Sequence, residues 1–578
     1  MKTMRHGNRS RGIARKAACS LVLGVSVGAL GACDSLLEVE LPHILTDAAI
    51  QDVTSAQIQV NSVQALFECG MSSMSWIALG HEDVFESVAG VAGGAHVYLG
   101  SGPTGSCDGS QSSGAWFDQI MGTRQMVSTN PARLGNYGGS SEVKGVYDRL
   151  VDDGWIAQLP GVGERLAAIS AIYMGASLSH FGQFYCEGAL DQGKLITGPQ
   201  FLALAERWLT VEALPHIGLA GTFAMPNGST TGTGASPTNT VIALRAQVRL
   251  AAGDLAGANA DAVTVLGSSP AFTFNATRES GSQRRNKVYD SGTAAAFSGM
   301  LGINTYWNGA TRNTNPATGA LWPATIPFTG YIFLGIQPDG RTLEATNTPV
   351  RWAQEIRSPA TASPAEAAVS LNNGSVQDPR ITHLYKSIQG PAKREVPTKF
   401  SAVENDIPLV TWRELTLIRA RFENEVSNNQ GAAIALINNM RPGAAACTPV
   451  SAACVPNISG ALNTALTNGT DDASISGAND QAEMRVVILE EARREFYSES
   501  GRWWQWKIQN TDLMWFPRFQ GFTSAGVYRL QGGVRLAFPT DEYERNVNFQ
   551  PLNIALRGSG CVAALASQAA DVSERPVF

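Results

Sequence analysis

The sequence predicts a mainly α protein, made of tetratricopeptide-type helical hairpins and interrupted by a large loop-rich irregular subdomain containing short strands. Three observations predict it. Apolar residues recur at steps of three and four in separate blocks, a paired pattern of two short helices runs from Thr240 to Leu266, and between Phe272 and Lys399 Asn, Thr, Gly, Pro and aromatic residues replace the helical stripes.

At the N-terminus, Lys2, Arg5, Arg9, Arg11, Arg15 and Lys16 precede an apolar run from Ala17 to Ala32 that closes as Leu30-Gly31-Ala32-Cys33. The run is too short and too rich in glycine for a membrane span, so residues 1–32 read as a signal peptide that is removed. Small residues ahead of Cys33 fit cleavage by lipoprotein signal peptidase, with Cys33 as the lipidated first residue of the mature chain. The simpler reading is a secreted protein whose signal happens to end near a cysteine. No later segment offers about 18 consecutive apolar residues. The anchor, and not the fold, therefore supplies the membrane attachment.

The 578-residue chain has a formal charge of −6, and loss of the six basic residues of the signal leaves about −12. No basic stripe follows, which argues against nucleic acid as a partner. Of the eight cysteines, Cys69, Cys107, Cys186, Cys447, Cys454 and Cys561 remain after the signal and the lipid site are set aside. Outside the cytoplasm they permit up to three disulfides in 15 pairings, with free buried thiols as the alternative. Cys447 and Cys454, which close a short Ala/Pro/Ser loop, form the best local pair. No CxxC and no nearby histidine accompanies any of the six, so no metal and no cofactor is expected.

A helix is expected from Glu164 to Gly182, with Leu166, Ile169, Tyr173 and Ala176 on one face and Gly182 as its stop. In the Thr240 to Leu266 unit, Val241, Leu244, Val248 and Ala251 form one stripe, Gly253-Asp254 the turn, and Leu255, Ala258, Ala262 and Leu266 the second stripe. That is an αα-hairpin, and a single hairpin cannot bury its own apolar face without stacked neighbours. Phe201 to Leu214, Trp412 to Val426 (Leu415, Ile418, Phe422, Val426) and Val486 to Phe496 (Val486, Leu489, Ala492, Phe496) supply them. The last also places Glu490 four residues before Arg494, a favourable helix ion pair. The stretch 272–399 is too long for an ordinary loop, and irregular loops on a helical scaffold are where binding surfaces usually sit.

Catalytic signatures are not found: seven histidines form no HExxH, and there is no GxSxG. His81-Glu82-Asp83 cannot converge on one ion as consecutive residues, and Asp471-Asp472 reads as a solvated loop rather than a calcium site. The aromatics are more suggestive. Tyr306, Trp307, Trp322 and Trp352 lie in the irregular segment, where no helical stripe claims them for a core, and flat rings stack on sugar faces or peptide side chains. Packing of the subdomain's own small cores is the competing reading.

Several segments, in order, resemble the SusD/RagB family of outer-membrane nutrient-binding lipoproteins. Cys33-Asp34-Ser35-Leu36-Leu37-Glu38-Val39 with Pro42 is similar to its start after lipidation, Trp116 to Asn130 to its early helix, and Arg165 to Cys186 to its helix ending in a Phe-Gly turn. Leu244 to Leu250 with Gly253-Asp254 resembles its central hairpin, and Glu414 to Glu425 with Ile437 to Arg441 its next helices. The strongest match is Leu489-Glu490-Glu491-Ala492-Arg493-Arg494-Glu495-Phe496-Tyr497-Ser498-Glu499-Ser500-Gly501-Arg502-Trp503-Trp504, followed by Phe538-Pro539-Thr540-Asp541-Glu542 with Asn546. Ala492 stands where the family usually has Arg, the glycine is shifted by one at Ser500-Gly501, and Gln505 replaces a usual Asp, which marks a divergent member. The Glu/Arg cluster reads physically as a buried network closing the fold rather than as catalysis.

The resemblance implies a tetratricopeptide-like superhelix divided as signal peptide 1–32, N-terminal helical region 33–271, ligand-binding subdomain 272–399 and C-terminal helical region 400–578. It further implies a non-enzymatic lipoprotein, anchored in the outer membrane and facing outward, that binds an oligosaccharide or a peptide. The ligand would pass to a TonB-dependent SusC-like β-barrel. Two alternatives stand beside it: a tetratricopeptide scaffold lipoprotein that binds no nutrient, favoured if Asp34 retains the anchor at the inner membrane, and a surface glycoside hydrolase, which needs a close pair of acids in a cleft.

Overall fold

The computed structural model describes residues 47–82, 85–87, 113–139, 141, 143–226, 235–280, 285–292, 301–303, 380, 383–387, 393–397, 399–441, 480–499, 501–510, 535–536, 538–539, 542 and 545–548. The chain forms two compact units, Met1–Ser55 and Ala56–Phe578. In the first, the short helix α1 (Asp47–Ile50) leads to a 3-10 turn, Val53–Ser55, capped by Asp52, whose Oδ1 accepts from the Thr54 amide at 2.8 Å and hydroxyl at 2.7 Å.

The second unit is mainly α. Helix α2 (Ala56–His81) buries Ala56, Val60, Val63, Phe67, Met71, Met74 and Ala78, a stripe at steps of three and four, against α3 (Ser113–Val127). After α4 (Val146–Val151) and α5 (Trp155–Gln158) comes α6 (Gly163–Phe184), whose residues are buried on every side from Leu166 to Phe184. A helix apolar or small all round belongs at the centre, and α6 is packed by α2, α3, α4 and the helices that follow it.

The expected stop at Gly182 is corrected: α6 continues to Phe184. The glycine has a different task there. A Cβ at 182 would lie 2.7 Å from Leu202 Cγ and 3.0 Å from the Leu202 backbone nitrogen, so its absence lets α7 (Gly198–Arg207) approach. The segment expected as one amphipathic helix is broken by a π-helical turn, Trp208–Ala213, before α8 (Leu214–Ala220). Pro215 in the first turn of α8 has no N–H, and its ring excludes the carbonyl four residues back, so the preceding ladder is displaced.

The hairpin is as expected. Helices α9 (Pro237–Ala252) and α10 (Leu255–Ser268) are joined by Gly253 at φ +86° and by Asp254, which caps α10 by accepting from the Gly257 amide at 2.9 Å. Arg245 clamps the pair through both oxygens of Asp261, at 2.9 and 2.7 Å. Then come α11 (Lys287–Gly292), α12 (Trp412–Glu425), α13 (Gln430–Met440), α14 (Asp480–Glu495) and α15 (Arg502–Gln509), with α12 packed on both α10 and α13 in the stacking the hairpin requires. On α12, Leu415 and Ile418 are buried, but Val426, expected on the same stripe, lies past the helix end and is exposed.

Strands are short and antiparallel: β1 (Phe85–Ser87), β2 (Glu187–Gly188), β3 (Ile196–Thr197), β4 (Thr273–Ala276), β5 (Leu301–Ile303), β6 (His383–Ser387), β7 (Lys393–Pro397) and β8 (Ile407–Thr411). They pair as β1 with β5, β2 with β3, β4 with β8 and β6 with β7. Those between 272 and 399 are the short strands expected there. Cys69 and Cys186 are both disulfide-bonded, the oxidised state expected for an exported chain. Cys33, Cys447 and Cys454 lie outside the described residues, as do Asp83 and Asp471-Asp472.

Replacing Gly182 by Ala separates helix propensity from packing. Propensity alone would stabilise the helix by up to about 1 kcal/mol. The contact with Leu202 predicts the opposite sign, a loss of roughly 1–3 kcal/mol in urea unfolding.

Candidate functional site

Buried polar groups converge inside the second unit where α15 meets α6, α9 and α12. Helix α15 is buried from Arg502 to Ile508, and its charges are matched from distant parts of the chain. Arg502 Nη2 donates to Gln183 Oε1 at 2.9 Å, and its Nε lies 3.4 Å from Glu414 Oε1. Glu414, 1% exposed, also accepts from Gln247 Nε2 at 2.5 Å and from the Trp506 indole at 3.5 Å. Burial raises its carboxyl above the usual range against the pull of Arg502. Gln247 holds the strand β8 as well, donating to the Leu409 carbonyl at 2.8 Å.

His180 sits beside this group, edge-on to Phe67 and Trp116. Burial, with the Arg502 charge adding to it, lowers its imidazole to about 3, so it is neutral; its Nδ1 has no hydrogen-bond partner. His180, Gln183, Gln247 and Arg502 line a cleft with Phe67, Met71, Leu244 and Leu409, and the room in it for water-sized molecules is about 20 Å³. A single water needs roughly 10–15 Å³. The cleft is thus scaled for hydration, not for a sugar or a peptide.

The strongest sequence match builds a second cluster next to it. Glu491 of α14 takes Arg380 Nη1 on one oxygen at 2.7 Å and Arg441 Nη2 on the other. Burial acts to raise this carboxyl, yet the two guanidiniums overcome it and bring it down to about 2. Glu495 pairs with Arg413 at 2.9 Å, and Glu499 with Lys399 at 2.7 Å. The favourable Glu490 and Arg494 spacing lies outside the described side chains at Glu490. The C-terminal signature is structural too. Phe538 meets Phe117 edge-on at 4.8 Å, and Asn546 Nδ2 donates to the Gly193 carbonyl at 3.0 Å and to Glu542 Oε2 at 2.9 Å.

Glu82 was not singled out from its neighbours in the sequence, and the structure gives it a separate place. Its Oε1 accepts from the Trp504 amide in the first turn of α15 at 3.3 Å, while Oε2 has no partner. Burial raises the carboxyl to about 8, against the Trp504 amide, Lys507 and Arg502 and with Glu499. The only sequence signal for Gln247, His180 and Glu414 is a polar residue at the spacing of a buried stripe. Tyr306, Trp307, Trp322 and Trp352 lie outside the described residues, so the structure neither gathers nor separates them. Among the described residues no group of His, Cys, Asp and Glu could hold a metal ion, and no helix is long and apolar enough to cross a membrane.

Two outcomes follow for stability. A carboxyl raised from 4.5 to about 8 binds its proton more tightly in the folded state, so its contribution is fully present below about pH 4.5 and is lost as pH rises through about 8. Thermal unfolding of Glu82→Gln should therefore lose part of the wild type's alkaline decline, while keeping the acceptor for Trp504. Glu491→Ala leaves Arg380 and Arg441 buried without their carboxylate and should cost about 3–5 kcal/mol in denaturant unfolding.

No protein-family model matches the chain, and no curated protein matches it. Solved structures do. A SusD-like carbohydrate binding protein from Bacteroides vulgatus is 12% identical, with 79% of this chain and 83% of that one covered and a TM-score of 0.43. A SusD superfamily protein from Bacteroides thetaiotaomicron is 12% identical, with 86% and 99% covered and a TM-score of 0.45, and another from Bacteroides vulgatus is 11% identical, with 85% and 96% covered and a TM-score of 0.44. With scores at this level, the fold class rests on the helices and the hairpin themselves: a mainly α, tetratricopeptide-like chain that is similar to SusD-like structures.

Proposed function

We propose that this chain is a surface lipoprotein of the SusD/RagB kind, anchored through Cys33 in the outer membrane, that binds an oligosaccharide and passes it to a TonB-dependent SusC-like β-barrel. The observation that supports this reading most is a coincidence of order. Of the segments that resemble the family in sequence, Trp116 to Asn130, Arg165 to Cys186, the hairpin at Gly253-Asp254, Glu414 to Glu425 and Leu489 to Trp504 meet one another inside the second unit.

Binding without chemistry suits what surrounds the buried carboxylates. Glu82 caps a helix, Glu414 and Glu491 are enclosed by donors, and the cleft beside them admits about one water. A glycosidase needs two acids facing a sugar-sized space, and these face none. The binding surface is assigned to the loop-rich segment 272–399, with Tyr306, Trp307, Trp322 and Trp352 as stacking rings. Oxidised Cys69 and Cys186 suit a chain that works outside the cytoplasm.

Membranes solubilised in mild detergent, with the protein captured through a C-terminal tag, should bring down a large β-barrel. Recovery without a barrel, together with protection from protease on whole cells, would favour the scaffold reading. In a glycan and peptide panel, Trp307→Ala and Trp322→Ala should each weaken binding of the preferred glycan by about tenfold, as loss of a central aromatic anchor does. Unchanged affinity in both variants removes these rings from the site.

A further inference from the structure

Where the π-helical turn joins α8, three helices are linked by a short hydrogen-bonded chain that has one contact more than its ordinary protons can fill. His216 of α8 places Nδ1 2.5 Å from Glu164 Oε2 on α6 and Nε2 3.0 Å from the Tyr147 hydroxyl on α4. The same hydroxyl donates to Glu212 Oε2, in the π-helical turn, at 2.8 Å. Glu212 is an acceptor on both oxygens, since Oε1 also takes Arg207 Nη2 at 2.8 Å and Oε2 takes Arg133 Nη1 at 3.4 Å.

The count decides the matter. A carboxylate brings no proton, a tyrosine hydroxyl brings one and a neutral imidazole brings one. Burial, with Glu212 beside it, pushes the Tyr147 hydroxyl far up, so it keeps its proton and never has a second to give. Two protons cannot fill the contacts from Glu164 to His216, from His216 to Tyr147 and from Tyr147 to Glu212. If Tyr147 donates to Glu212, Nε2 must donate to Tyr147 and Nδ1 to Glu164. Only the doubly protonated ring does both.

We propose that His216 is a proton-operated latch: protonated, it ties the segment 208–220 to α4 and α6, and on losing that proton it surrenders one of the three contacts. Solvent reaches it, since its side chain is 15% exposed and that of Glu164 is 27% exposed. His180 offers the contrast, being sealed among aromatic rings with no carboxylate on it.

The charged surroundings of the latch come from each element packed on it. Glu164 lies on α6, Tyr147 on α4 with Asp148 turned to the Ser128 hydroxyl, and Glu212 and Arg207 precede it on its own side. Arg133 lies over the Tyr147 ring at 5.1 Å and pairs with Asp152. From α9, Arg245 and Arg249 are turned away, to Asp261 and Glu206. Pro215 next to the ring brings no backbone N–H, and the π-helical turn before it departs from the regular α-helical ladder.

Hydrogen exchange of the full chain, followed by mass spectrometry over peptides covering 208–220, tests the latch between about pH 5 and 8, the span in which histidine charge changes. After correction for intrinsic exchange, wild-type protection in these peptides should fall by about tenfold as pH rises, the worth of one hydrogen bond to a charged group. In His216→Gln it should not change with pH. Should that variant fail to fold, Tyr147→Phe serves: without the hydroxyl a neutral ring still fills the one contact left, to Glu164, so only the charge of that pair is lost as pH rises, and the fall in protection should be clearly smaller than in the wild type. Wild-type protection that does not vary with pH, a decline that persists in His216→Gln, or one as large in Tyr147→Phe as in the wild type, overturns the proposal.

Discussion

Helix α15 is buried along its length while carrying Arg502 and Lys507, and the second unit depends on how those charges are met. An unpaired charge taken out of water costs several kcal/mol, more than any one helix contact returns. Arg502 is answered by Gln183, 319 positions earlier, and by Glu414; the first turn of the helix is answered by Glu82, 422 positions earlier. Sequence neighbours cannot supply these partners. Burial of α15 therefore depends on α6, on α12 and on the residue that follows α2.

The periodic parts of this arrangement were legible. The hairpin at Gly253-Asp254 could be read to within a few residues because its stripes, its turn glycine and its aspartate cap all point the same way. Helix α2 was just as periodic, with Val60, Val63, Phe67, Met71, Met74 and Ala78 in register, yet it carries no motif that draws notice. Gly182 was misread because a glycine that ends a helix and one that lets a neighbour approach look alike in one dimension; Leu202 tells them apart, and it lies 20 residues on. The π-helical turn has no signal of its own in the sequence, since Pro215 alone does not mark one. Tertiary contacts kept the chain helical through a proline that would end an isolated helix.

The charged seam was legible only as a composition. Leu489 to Trp504 announces acids and arginines, but nothing in its spacing says that Glu491 is held by Arg380 and Arg441 or that Glu495 turns to Arg413. Such partners are fixed by the stacking of helices, which is a property of the whole chain. The aromatic residues proposed for ligand sit in the segment where periodicity stops, and for the same reason sequence offers no register that would say which rings share a face.

Buried ion pairs of this kind are not an efficient way to make a core stable, since apolar residues of equal volume often do as well or better. What they add here is position. An apolar seam fixes a helix by shape, and a buried ion cluster adds the larger penalty of an unpaired charge to any change of register. Glu491 can accept from two guanidiniums at once only if residues 380, 441 and 491 all hold their places, and a slip would break both contacts together. That register also holds Phe272, before β4, and Lys399, beside Glu499, fixed relative to each other.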